Sequence, residues 1–145
     1  MDYIREAIEQ LRDYNLLMSS VSTMQEQLEA LKLEKYNIKA QVITRDPKGG
    51  GNTEPDDKTV NNIFKRRMLI NNIVATNKKI SCIDKSLAVL DANERKVLNR
   101  IFVIGSHNAI GDLCAELNFS KSQIYKIRDQ AIRRFARAMY GVGVA

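Results

Sequence analysis

The sequence predicts an all-α fold: a long N-terminal antiparallel helical hairpin, coiled-coil-like, followed by a C-terminal helix-turn-helix domain. Three observations carry that prediction. Met1 to Val42 and Lys58 to Leu90 contain neither Gly nor Pro, and apolar residues recur through both at steps of three and four. Both prolines and three consecutive glycines of the chain fall in the stretch between them, Thr44 to Asp57, which reads TRDPKGGGNTEPDD. Beyond Leu90 come three shorter apolar stripes, the last two separated by only Asn118-Phe119-Ser120.

The first helix is expected over about Met1 to Val42, roughly 60 Å long at ~1.5 Å per residue. Ile4, Ala7/Ile8, Leu11, Tyr14, Met18, Val21, Leu28 and Leu31 mark its stripe. Gln25 and Lys32 interrupt the heptad, which argues against a long uniform parallel coiled coil. Residues 44–57 have the composition of a flexible loop. From Lys58 the second helix carries Val60, Ile63, Ile70, Ile73, Ile80, Ile83, Leu87 and Leu90. The seam can close within one chain or between two; one apolar stripe per helix cannot bury much on both sides of a hairpin, which makes a homodimer through these N-terminal helices the attractive alternative. Ile63, Ile70, Ile73, Asn77, Ile80 and Leu87 form the expected oligomer seam. A buried Asn at the Asn77 position could set register or oligomer state. Residues 1–89 therefore form the hairpin, 90–140 the helix-turn-helix domain and 141–145 a tail.

Within 90–140, Leu90, Val97, Leu98, Ile101 and Phe102 mark one helix face. Ile110, Leu113, Cys114 and Leu117 mark a second, and Ile124, Ile127, Ala131, Ile132 and Phe135 a third. A three-residue connection forces a tight corner between the last two helices. Asp91 with Glu94, and Ser120 as helix cap with Gln123, have capping-box spacing. From Lys121 to Arg137 there are six cations (Lys121, Lys126, Arg128, Arg133, Arg134, Arg137) against the single acid Asp129. That stretch holds nearly all of the formal net charge of +6. Cations can track a phosphate backbone, and short polar side chains at a helix N-terminus can reach base edges in the major groove. Lys121, Ser122, Gln123, Tyr125 and Lys126 are the candidate base-reading residues. Arg128, Arg133, Arg134 and Arg137 are the candidate phosphate contacts. Lys65-Arg66-Arg67 reads more simply as a solvated surface.

LDANERKVLNRIF followed by IGDLCAELNFSKSQIYKIRDQAIRRFAR resembles region 4 of sigma-70-type factors, over roughly residues 90 to 137. In that pattern the Ser-capped helix is the recognition helix. The resemblance places Lys121, Ser122, Gln123, Tyr125 and Lys126 toward bases or nearby phosphates. The sequence departs from the pattern at Gly105-Ser106-His107-Asn108 and at Tyr125, where many relatives carry Arg. It has no counterpart of a promoter-melting region. The whole layout resembles the phage and prophage late-gene transcriptional regulators of the ArpU/RinA-like group. That resemblance implies a sequence-specific double-stranded DNA-binding activator of late genes that works with host RNA polymerase. A phage small terminase subunit is the alternative, although its usual order puts the DNA-binding helices first. A polymerase-binding interaction module is another.

Catalysis is not expected. Cys82 and Cys114 are far apart and read as two reduced core thiols. His107 is the only histidine, so a zinc site lacks ligands. Gly49-Gly50-Gly51 follows no strand and leads into no Lys-Ser/Thr, so it is no phosphate loop. No cofactor or metal is expected. Without a membrane-length apolar run or a signal peptide, a cytoplasmic location and no membrane partner are expected. A pI near 9.4 favours a polyanionic partner.

Overall fold

The computed structural model describes residues 1–44 and 57–144, and among them the chain is all-α. Helix α1 spans Tyr3–Thr44 and α2 spans Asp57–Ala88. Then follow α3 (Ala92–Leu98), α4 (Ala109–Leu117) and α5 (Lys121–Tyr140). The loop expected at 44–57 lies outside the described residues except for its ends, which are the last residue of α1 and the first of α2.

Two compact units divide the chain, and the division cuts both long helices. One unit comprises Met1–Met18 with Lys78–Ala145, the other Ser19–Asn77. The boundary expected at residue 89 is not where the contacts thin out. The first turns of α1 and the end of α2 share a core with the C-terminal helices: Ala7, Leu11, Ile83, Leu90, Leu98, Ala131, Ile132, Phe135 and Ala136 form one buried cluster. Tyr14 Oη donates to Asp84 Oδ1 at 2.7 Å in this unit, and that hydrogen bond is the main reason the Tyr14 hydroxyl titrates above its ordinary range. The tail expected at 141–145 is also tied down. Gly141–Gly143 form a short 3-10 turn, and Val144 is buried in the same cluster.

In the other unit the two arms of the hairpin run antiparallel. Asn62 is its buried polar stitch: Nδ2 donates to the Leu31 carbonyl at 2.8 Å, and Oδ1 accepts from Arg66 Nε at 2.7 Å.

Along α2 an inward row runs through 59, 62, 66, 69, 73, 76, 80, 83 and 87 at alternating steps of three and four, with Ser86 buried beside it. The expected oligomer seam therefore splits. Ile73, Ile80 and Leu87 lie on this inner row, whereas Ile63, Ile70 and Asn77 are exposed on another face. The two rows have the same period and are offset by one residue, about 100° around the helix, so a pattern of three-four steps alone did not separate them. Cys82 is likewise exposed rather than a core thiol, while Cys114 is half-buried; both are free.

Helix α3 continues into a six-residue π-helical stretch, Asn99–Ile104, closed by Gly105 at φ 67° in the left-handed region. The wider turn lets neighbouring residues serve different cores. Ile101 packs against Val97, Leu113 and Ile124, while Phe102 and Val103 pack against the larger cluster. The single apolar face read from Leu90 to Phe102 gave no sign of this widening.

Candidate nucleic-acid interface

The corner that sets α5 is local in origin. Asn118 ends α4 in the left-handed conformation, φ 56°, which Asn tolerates better than most residues. Phe119 then packs on the small core of Val97, Leu113 and Ile124. Ser120 is extended, and its Oγ accepts the Gln123 amide at 3.2 Å, so the expected cap is present. Its reciprocal bond from the Gln123 side chain is absent among the described residues, leaving Gln123 exposed. Ser120→Ala is expected to cost about 1 kcal/mol of stability. Urea denaturation checks this, with Ser120→Asp retaining most of the wild-type value.

Below the corner, α5 buries Ile124, Ala131, Ile132, Phe135 and Ala136. That fixes which polar residues point away. Ser122, Lys126, Arg133 and Arg137 are exposed and follow one row at helical spacing, with Gln123 and Gln130 beside them. Lys126, Asp129, Gln130, Arg133, Arg134 and Arg137 line a shallow concavity of about 490 Å³. Lys121, Tyr125 and Arg128 occupy a neighbouring row. The Arg128 guanidinium lies 4.9 Å from the Tyr125 ring centroid and donates twice to Asp129 Oδ1, at 3.0 and 2.9 Å. The five candidate base-reading residues are thus all exposed at one end of α5, but on two adjoining rows.

The candidate phosphate contacts differ in what already holds them. Among the described residues Arg133 makes no ion pair, as is true of Lys121 and Lys126. Arg137 donates to the Val144 carbonyl at 3.4 Å and remains exposed. Arg134 is committed elsewhere: it pairs with Glu94 and donates to the Val89 carbonyl at 3.3 Å. Its charge joins α5 to the start of α3.

Comparison with family models, with curated proteins and with solved structures finds no match for this chain.

Glu94 does more in this unit than its place in the sequence indicates. It completes the capping box expected with Asp91: the Glu94 amide donates to Asp91 Oδ1 at 2.8 Å, and Glu94 Oε1 accepts the Asp91 amide at 3.4 Å. Beyond that role it is buried, and its Oε2 has no hydrogen-bond partner among the described residues. Burial, aided by the Asp91 side chain, raises its carboxyl above the ordinary range despite Arg134. Asp91 moves the other way, lowered first by the Glu94 amide.

Helix α4 is braced from the other side. Glu116 pairs with Lys96 at 2.7 Å and with Arg100 at 2.9 Å, which holds its carboxyl below the ordinary range, the Lys96 hydrogen bond first. No cluster of three or more His, Cys, Asp or Glu side chains suited to a metal occurs among the described residues. His107 is exposed in the turn before α4. No described helix is long and apolar enough to cross a membrane.

Proposed function

We propose that this chain is a sequence-specific double-stranded DNA-binding transcriptional regulator, an activator of phage late genes acting with host RNA polymerase in the cytoplasm. One observation carries the DNA reading. The capped N-terminal end of α5 presents Ser122, Gln123 and Lys126 on the same exposed side as Arg133 and Arg137. Short polar side chains lead and long cations follow, which suits a helix whose first turns enter the major groove while its later turns meet the backbone. α4 supports it across a three-residue corner, and Lys121, Tyr125 and Arg128 flank it. The activator role and the polymerase partner rest on the resemblance to the ArpU/RinA-like group and to sigma region 4.

The direct test is selection from a random duplex library at near-physiological salt, followed by sequencing of the bound fraction. Enrichment of a defined site is expected, and a two-fold dimer should select paired half-sites about one helical turn, or a multiple of it, apart. Recovery without a motif overturns the sequence-specific reading. Gln123→Ala is expected to lose about 1–3 kcal/mol of discrimination at one position. Arg133→Ala should weaken all duplexes alike and reduce the salt slope by about 1. Equal losses on every duplex for Gln123→Ala would remove that residue from base reading.

A further inference from the structure

A second face of α2 carries large apolar side chains that stay exposed in one copy of the chain. Val60, Ile63, Phe64, Ile70 and Val74 leave 50, 38, 62, 46 and 48% of their areas in solvent. The inner row from 59 to 76 mixes Leu69 and Ile73 with Thr59, Asn62, Arg66 and Thr76. Together the five exposed side chains present roughly 400 Å² of apolar surface, as large as the largest and often functional patch of a typical monomer and about half of the ~800 Å² per partner of a standard interface.

We propose that this face is the contact between two copies of the chain, packed as an antiparallel α2–α2 pair about a two-fold axis. Positions 60, 63, 67, 70, 74 and 77 repeat at alternating steps of three and four, the spacing of a two-stranded coiled-coil seam. In the antiparallel register centred between residues 68 and 69, Ile63 meets Val74 of the second copy and Arg67 meets Ile70. Val60 meets Asn77. The same register sets Asp57 against Lys78 of the second copy, and two-fold symmetry makes that pair twice. All of these residues belong to α2, and Asp57, Arg67, Asn77 and Lys78 are exposed.

Charge decides the direction. A parallel pair would place Arg67 directly against Arg67 of the second copy inside the seam and would lose both Asp57–Lys78 pairs. The antiparallel pair lays the aliphatic stem of Arg67 along an Ile and leaves its guanidinium at the rim.

The contact does not depend on α5 reading DNA, and it is tested without DNA. Sedimentation equilibrium of the full chain is expected to show a dimer at about 100 μM. Ile70→Glu with Val74→Glu should weaken it by at least about 100-fold, since charges would be buried across an apolar seam. Both positions are exposed in one copy, so the circular dichroism of the monomeric variant should match the wild type. For register, Asp57→Lys or Lys78→Asp alone should weaken association by about five-fold. The double reversal should restore it. A wild-type monomer at that concentration, a ring-sized assembly, or a dimer that survives the double glutamate overturns the contact. Additive losses in the double reversal overturn the antiparallel register.

Discussion

Phe135→Ala is expected to cost about 3–5 kcal/mol, much of the stability of a domain this size. Phe135 is the largest fully buried side chain among the described residues, and the cluster around it includes Leu98 from α3, Ile83 from α2 and Leu11 from α1. Removing the ring leaves a cavity bounded by several elements, none of which can collapse into it without disturbing the others. Arg133, two residues away and exposed, is the control. Arg133→Ala should change stability by no more than about 0.5 kcal/mol while lowering DNA affinity. Urea denaturation followed by circular dichroism separates the two. A Phe135→Ala midpoint close to wild type would mean that α5 is held mainly by something other than this cluster.

Arg134→Ala is expected to cost about 2–3 kcal/mol near neutral pH, less than the 3–5 kcal/mol of a fully buried pair because Arg134 is itself partly exposed. The loss comes from the group left behind. Glu94 is buried, one of its oxygens is unpartnered among the described residues, and Arg134 is its only ion pair there. The sign of the pH dependence follows. Glu94 already titrates above its ordinary value because of burial, so its folded form holds a proton more tightly than its unfolded form. That contribution to stability is complete below the unfolded value and is lost as pH rises through the folded one. Deleting Arg134 removes one of the two influences that oppose the shift, leaving only the Asp91 amide, and moves the folded value higher still. The penalty of the variant should thus be small near pH ~4 and largest near pH ~7. Asp91, whose folded value is depressed, contributes in the opposite sense: its stabilisation is present above its ordinary value and fades as pH falls. Comparing variant with wild type at each pH largely cancels Asp91. A penalty that does not change between those pH values would mean that Glu94 remains neutral throughout.

Arg134 also marks a limit of sequence reading. Placed among six cations in seventeen residues, it is indistinguishable from Arg133 or Arg137 in sequence. Its partner lies forty positions away. No local signal connects the two, whereas the contrast between an exposed Arg133 and a committed Arg134 follows at once from the packing of α3 against α5.

The features legible in the sequence are those with a local physical cause. Three-four periodicity and the absence of Gly and Pro predict α1 from Met1 to Val42, and the helix runs Tyr3–Thr44. The Asp91–Glu94 box and the Ser120 cap act within three residues of themselves, and both form. A connection as short as Asn118-Phe119-Ser120 leaves α4 and α5 little choice but a tight corner. Other features required the third dimension. On α2 two rows share one period and both carry core-forming residues, Val60, Ile63, Ile70 and Val74 on one and Leu69, Ile73, Ile80, Ile83 and Leu87 on the other. The fold turns the second row inward, and its polar members are satisfied there, Asn62 by the Leu31 carbonyl and Arg66 by Asn62. Periodicity measures how often a face recurs, and it is blind to which face a distant segment will cover; that choice depends on contacts that exist only after the chain has folded.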